Sequence, residues 1–274
     1  MVFSGLYDKL ERARWNMNDI PLDQIDKSKV DAEMLHDVKH VCLTELGSIP
    51  ATRMFMRDFA DDMDFQRFIN VWSFEEGKHS LILERWLNAN GVELEPEQVQ
   101  KINLEFEPAP WIETLTMHFL GEQRLGMWYS SFAGIGKNAA EKFLQEPVLR
   151  KIFTQLSADE WRHAGCYFVY LKNTVAKTPE YLQNIARMML WMLRSKYRHP
   201  TNITDPSVVD QLEDPNYFRH MVDRYTTSVG EKAMEKRVLS SFSILTGIQI
   251  ETQKDVIKFL RNKFGQKSLE EVPS

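Results

Sequence analysis

Cysteine is scarce. The 274 residues hold two, Cys42 and Cys166, both inside apolar helical patterns, which argues against a disulfide framework and against a thiolate metal site. Glycine and proline are also few, 12 and 11, well below average usage, and so small a supply of turn residues suits long helices better than many short strands. No uninterrupted apolar run exceeds six residues, as in Met188–Leu193, far short of the ~18 needed to cross a bilayer. Charge enters early, at Asp8, Lys9, Glu11 and Arg12, with no apolar stretch and small-residue cleavage site before it, and the expected location is the cytoplasm. The formal net charge is −5, which gives no general reason to expect nucleic acid or an anionic membrane surface as a partner.

What the chain does have is apolar residues, 43% of the total, enough for a sizeable core. They recur with a period of 3.6, and alternation of period 2 is almost missing, so the expected fold is all-α. Helices are expected over about 28–60, 64–89, 110–136, 147–176, 180–199, 215–240 and 242–264. The breaks between them carry turn chemistry: Asp61-Asp62-Met63-Asp64, Asn90-Gly91, the Pro96–Pro110 stretch, Gly134 with Gly136, and Pro200–Pro215. The acidic stretch Glu93–Glu107 reads as a solvated crossover between two helix pairs.

Three Glu-x-x-His quartets occur: Glu33/His36, Glu76/His79 and Glu160/His163. At about 100° per residue, Phe65, Ile69, Trp72, Leu83 and Leu87 all fall within about 40° of Glu76, with His79 some 60° away. Glu160 repeats the arrangement among Phe153, Leu156, Tyr167 and Leu171. His36 instead points away from the stripe of its helix, which passes through Val38, Val41, Cys42, Glu45 and Ile49, so that quartet is expected at the surface. Two more acids interrupt apolar stripes: Glu45, among Val38, Val41, Ile49 and Met56, and Glu122, among Leu115, Phe119, Tyr129 and Phe132. A lone acid in a core costs several kcal/mol unless it is paired or binds metal. Any one of these acids is explained by a neighbouring Arg or Lys or by solvent. Four of them in the order Glu, Glu-x-x-His, Glu, Glu-x-x-His are not.

Hairpin geometry gives an independent check. The midpoint of Glu45 and Glu76 falls at the Asp61–Asp64 turn, and that of Glu122 and Glu160 between the breakers Gly136 and Pro147. Each antiparallel hairpin therefore sets a single Glu level with a Glu-x-x-His. Two such hairpins enclose six ligands, the constellation of ferritin-like di-iron and di-manganese bundles. Four carboxylates against two divalent ions leave a neutral cluster, and mixed carboxylate and imidazole ligation suits iron or manganese.

The segments Glu75-Glu76-Gly77-Lys78-His79 and Asp159-Glu160-Trp161-Arg162-His163 resemble the EENRH and DEKRH boxes of soluble acyl-carrier-protein desaturases. Thr44-Glu45 with Pro50 is similar to that family's first ligand helix, Glu122-Gln123-Arg124 to its third, and Met188-Met189 with Arg194-Ser195-Lys196 and Pro200 to the helix after the second box. The likeness spans about residues 30–200. It implies a ferritin-like four-helix bundle with additional C-terminal helices, a single domain over 1–274 with its di-iron core at about 28–176 and accessory helices at about 180–264. It also implies two iron ions, with manganese as the other candidate, held by Glu45, Glu76, His79, Glu122, Glu160 and His163, with Glu76 and Glu160 bridging. Asp159 matches the family's further catalytic-site acid, which orients a ligating histidine. One departure stands out: where the family has a threonine three residues after the third ligand Glu, this chain has Leu125. Related ferritin-like enzymes fit less well. The radical-bearing tyrosine one turn after the first His is here Leu83, and the extra histidine of arylamine N-oxygenases is here Leu156.

The implied activity is O2-dependent desaturation of a long acyl chain carried as a thioester on acyl carrier protein, with electrons from a ferredoxin-type donor, by a homodimer. Two other readings stay open: hydroxylation or N-oxygenation of another small apolar substrate, for which Leu125 speaks, and iron binding without C–H chemistry. An apolar tunnel would draw on Trp72, Phe119, Trp128, Phe132, Met188 and Met192, with Met127 and Met189 as further candidates, although aromatic and methionine stripes at this spacing also serve as plain core. Arg187, Arg194, Lys196 and Arg198, with His199, form the basic cluster best suited to an acidic carrier. His118, one turn before Glu122 on the same face, has three readings: a core histidine bonded to its surroundings, a donor to a ligand, or a seventh ligand.

Overall fold

The computed structural model describes residues 1–103, 105–136, 145–194 and 228–265, with the side chains of 228 and 229 left aside. Every regular element among them is helical. The helices are α1 (Phe3–Ala13), α2 (Ala32–Leu46), α3 (Ser48–Asp58), α4 (Met63–Ala89), α5 (Pro96–Lys101), α6 (Trp111–Phe132), α7 (Pro147–Lys177), α8 (Leu182–Arg194), α9 (Ser228–Thr246) and α10 (Gln253–Phe264). Helices α2, α4, α6 and α7 form the bundle: α2 packs along α4, α6 along α7, and α4 meets α7 across the middle. Helices α8 and α9 lie against α6, and α10 packs on α8.

Local chemistry fixes the ends of the bundle helices. Asp31 accepts a hydrogen bond from the Met34 amide at 2.7 Å and Asp62 one from the Phe65 amide at 2.9 Å, each satisfying a first-turn N–H of its helix. Helix α7 opens on Pro147, whose missing N–H is not needed there. The buried Glu146 side chain accepts from the amides of Val148 and Leu149, the Asp26 amide and the Trp86 indole N–H.

One expected helix, 28–60, is two. At the end of α2 the Gly47 amide donates to the Thr44 carbonyl at 2.9 Å, a tightened last turn, and the Ser48 hydroxyl donates to the Glu45 carbonyl at 2.7 Å. Pro50 then sits in the first turn of α3, where it deprives the helix of nothing. The break turns Ile49, expected on the Glu45 stripe, outward to 54% exposure. A second difference lies near the C-terminus. The expected boundary at 240–242 falls inside α9; the chain turns instead at Gly247, whose φ of 71° favours glycine. Ser243 braces that turn, its hydroxyl donating to the Ile250 carbonyl and accepting from the Ile250 amide. Helix α1 had no counterpart in the sequence reading. It is pinned by Asp64, which accepts from the amides of Val2 and Phe3. The expected stretch 215–227 lies outside the described residues.

The bundle has two apolar clusters, one around Phe55, Phe68, Trp72, Phe119 and Tyr167, the other around Val38, Leu83, Trp86, Tyr129 and Phe153. On α4 the polar residues Glu75, Glu76 and His79 fall between Trp72 of the first cluster and Ile82 of the second. On α7, Asp159, Glu160 and His163 fall between Leu156 of the second and Ala164 of the first. A buried polar band therefore crosses the bundle between two apolar ends.

Candidate metal centre

The structure brings together all six residues in which the sequence reading expects ligands. Among the described residues, two groups of four buried side chains each offer ligand atoms within 4.8 Å of one another: Glu45, Glu76, His79 and Glu160, and Glu76, Glu122, Glu160 and His163. Glu76 and Glu160 belong to both groups, as two shared carboxylates between a pair of sites must. Glu33 is exposed on the first turn of α2, as its position on the helix requires.

Each imidazole is oriented from the opposite helix. His79 on α4 turns Nδ1 toward the carboxylates of Glu45 (3.2 Å), Glu160 (3.3 Å) and Glu76 (3.6 Å), and its Nε2 lies 3.1 Å from Asp159 Oδ2 on α7. His163 on α7 turns Nδ1 toward Glu76 (2.9 Å) and Glu122 (3.5 Å), and its Nε2 lies 2.8 Å from Glu75 Oε2 on α4. Asp159 thus stands against the outer nitrogen of His79. Glu75 does the same in mirror fashion and was missed, although the doublets Glu75-Glu76 and Asp159-Glu160 repeat the same pattern in the sequence. Cations stand on the outer side of these two acids: Arg162 lies 2.5 Å from Asp159 and 3.4 Å from Glu75, and Arg14 lies 3.7 Å from Glu75. The Trp15 indole N–H donates to Asp159 at 2.7 Å, a contact across 144 residues that no local pattern signals.

Inside this belt the charges are less evenly matched. Burial pushes Glu45 up to about 7, against the opposing pull of His79. Burial, with the charges of Glu76 and Glu122, holds Glu160 well above the usual carboxylate range. Burial would raise Glu76 too, but the imidazoles of His79 and His163 outweigh it and bring it down to about 2. Both histidines are held well above their ordinary value because the surrounding acids overcome burial.

The donor set fits divalent metal. Both oxygens of Glu160, Glu76 Oε1, Glu122 Oε2 and His163 Nδ1 are buried without a hydrogen-bond partner, though His163 Nδ1 and Glu76 Oε1 are only 2.9 Å apart. Buried acids and an imidazole held this close with no hydrogen bond between these atoms suit the ligands of a common ion better than hydrogen-bonded pairs. The remaining oxygens are steadied from outside. The Tyr129 hydroxyl donates to Glu45 Oε1 and the Trp72 indole N–H to Glu122 Oε1, the latter at 2.8 Å.

The chain matches the fatty acid desaturase family over residues 51–229. It belongs to that family. It is therefore an enzyme of the di-iron oxidoreductase class, and the alternative of iron handling without catalysis falls away. Glu45 lies outside the matched segment and is placed by geometry alone. Among solved structures, the chain resembles an R2-like ligand-binding oxidase with an aerobically reconstituted metal cofactor after photoconversion, at 19% identity and a TM-score of 0.55, over 92% of this chain and 93% of that one. That likeness concerns the fold, which is ferritin-like. No curated protein matches the chain.

The desaturase-like chain does not gather its other expected residues equally. Trp72, Phe119 and Met192 lie in the first apolar cluster, Trp128 and Phe132 in the second, and Met188 is buried on α8. Only Trp72 among them lines the cavity beside the carboxylates, about 30 Å³ in volume, which Leu125 also walls. Arg187 is engaged within the fold: its guanidinium lies 3.2 Å from Glu113, which also accepts from Asn184. Arg194 is exposed at the end of α8. Lys196, Arg198 and His199 lie outside the described residues. No helix of the described chain is long and apolar enough to cross a membrane.

Proposed function

We propose that this enzyme holds two iron ions through Glu45, Glu76, His79, Glu122, Glu160 and His163, and introduces a double bond into a long acyl chain carried as a thioester on acyl carrier protein. The observation that carries the reading is the sharing of Glu76 and Glu160 by two buried ligand quartets in a fatty acid desaturase. Manganese meets the same donor set. When bound, two redox-active ions supply the reduction of O2 and the removal of hydrogen from an unactivated C–H bond. The balance is that two C–H bonds give one C=C bond while O2 becomes two waters, with two electrons and two protons drawn from the chain, two electrons from an external ferredoxin-type donor and two protons from solvent.

The protein's own residues do the positioning. Asp159 and Glu75 accept from the outer ring nitrogens of His79 and His163, so that each imidazole presents Nδ1 inward. Arg162 and Arg14 balance the charge of those two acids, which keeps the inner four carboxylates available for metal. The apolar clusters on either side shield the buried polar band from bulk water. In this reading the enzyme works as a cytoplasmic homodimer, and Arg194 at the end of α8, with Lys196 and Arg198 after it in the sequence, meets the acidic carrier.

A second reading is favoured by one observation. Leu125, at the position where the family has a threonine, walls the small cavity beside the carboxylates. An apolar side chain in that place speaks for hydroxylation or N-oxygenation of another small apolar substrate. The two separate on the product: iron-loaded protein, stearoyl-type carrier-protein substrate and a reducing chain give an alkene under the first reading, and an alcohol or oxidised nitrogen under the second. Iron oxidation with no organic product from any substrate contradicts both.

A further inference from the structure

His118 on α6 is buried and lines the same small cavity. Its Nδ1 lies 3.0 Å from the Thr114 carbonyl oxygen, which can only accept, so Nδ1 carries the proton. Burial brings the ring down to about 4, so it is neutral and Nε2 holds a lone pair. That nitrogen is buried with no partner, and a buried acceptor left unmade costs about 1–3 kcal/mol. His118 belongs to neither ligand quartet, so metal does not account for it.

The rest of the polar wall is of the same kind. The Thr44 hydroxyl proton is committed to the His40 carbonyl and the Ser48 proton to the Glu45 carbonyl, so both hydroxyls face the cavity as acceptors. Glu76 and Glu122 add carboxylate oxygens, and the side-chain N–H groups on the wall are taken, that of Trp72 by Glu122 and that of His118 by the Thr114 carbonyl. The cavity is thus lined by acceptors and is large enough for one or two small molecules. The ligand it fits carries hydrogens to donate.

We propose that this cavity is a binding site for a small hydrogen-donating molecule, water or hydrogen peroxide, with His118 Nε2 as the acceptor that holds it beside the metal-binding carboxylates. The proposal rests on the metal reading for its chemistry but not for its test. In metal-free protein labelled with ¹⁵N-histidine, the His118 Nε2 resonance is expected at an unprotonated, hydrogen-bonded position, from water. A protonated Nε2, or an unprotonated one free of hydrogen bonding, overturns the proposal, and this holds whether or not the chain binds metal. In oxidised metal-loaded protein, hydrogen peroxide and azide are titrated by visible absorbance. His118→Phe is expected to weaken hydrogen peroxide about tenfold and to leave azide, which has no hydrogen to donate, unchanged; His118→Gln, which restores an acceptor, recovers part of the loss. Equal weakening of both ligands means a role in shape alone and contradicts the proposal. So does loss of metal from His118→Phe, which makes His118 a ligand. Wild-type protein that takes up no metal contradicts the proposed function and leaves the resonance of His118 to decide this one.

Discussion

Glu75 Oε2 lies 2.8 Å from His163 Nε2, and neither residue is on the other's helix. The same relation, reversed between the helices, joins Asp159 to His79 at 3.1 Å. The acid just before each shared glutamate therefore holds the histidine that follows the other one, and α4 and α7 are strapped together twice at the level of the site. Either strap has the same expected consequence. Glu75→Gln or Asp159→Asn keeps the shape but loses the charge, and each is expected to weaken metal binding by roughly tenfold or more, read by competition with a chelator. Metal affinity unchanged in both variants means that the straps do not orient ligands.

Buried acids without partners destabilise the metal-free fold. Glu160, fully buried with both oxygens unpartnered, is the clearest case. Glu160→Gln is expected to leave the metal-free protein at least as stable as the wild type, while abolishing the extra stability that metal gives the wild type. Thermal scans with and without metal check both halves.

The pH dependence follows from the same groups. His79 and His163 have raised values in the folded state. Their contribution is complete below the ordinary histidine value and is lost as pH rises through the raised one. Glu45, raised to about 7, and Glu160, also raised, act in the same direction, because the fold binds more protons than the unfolded chain. The metal-free protein is expected to lose stability steadily from about pH 5 upward. Metal requires the deprotonated ligands, so the stabilisation it brings widens over the same range. Melting temperatures from pH 5.5 to 8.5, with and without metal, measure the divergence; parallel curves contradict it.

A packing variant tests the frame behind the site. A Cβ on Gly126 of α6 would lie 2.9 Å from the Trp161 ring of α7, and Trp161 is itself held by a hydrogen bond to Ser130 and by Arg237 over its face. Gly126→Ala is expected to cost about 1–3 kcal/mol and, by parting α6 from α7 one turn beyond Glu122, to weaken metal binding as well. Denaturant midpoint and metal affinity are the two readings, and an Ala variant as stable as wild type contradicts the close approach.

Much of this was legible in the sequence because the six inner residues interrupt long, regular apolar stripes, and hairpin arithmetic sets them level. The stripe failed at Ile49, where Gly47 and Pro50 divide the helix and turn the residue outward. What supports the ligands was harder to read. Trp15 reaches Asp159 from an irregular segment 144 residues away, and Tyr129, on the apolar face of α6, contacts Glu45 only because two hairpins pack together. Glu75 had a signal, the repeated acidic doublet. The hydrogen-bonding state of His118 had none, since it depends on a carbonyl one turn back and on what faces the cavity.

The most direct measurement is metal content per folded chain after anaerobic loading with iron and removal of the excess. Two ions per chain are expected in wild type, with a clear loss of both stoichiometry and metal-dependent thermal stability in Glu160→Ala, which removes a carboxylate shared by both sites. Unchanged stoichiometry and stability in Glu160→Ala, or a wild-type chain that retains no iron, contradicts the assignment of this buried band as a di-metal centre.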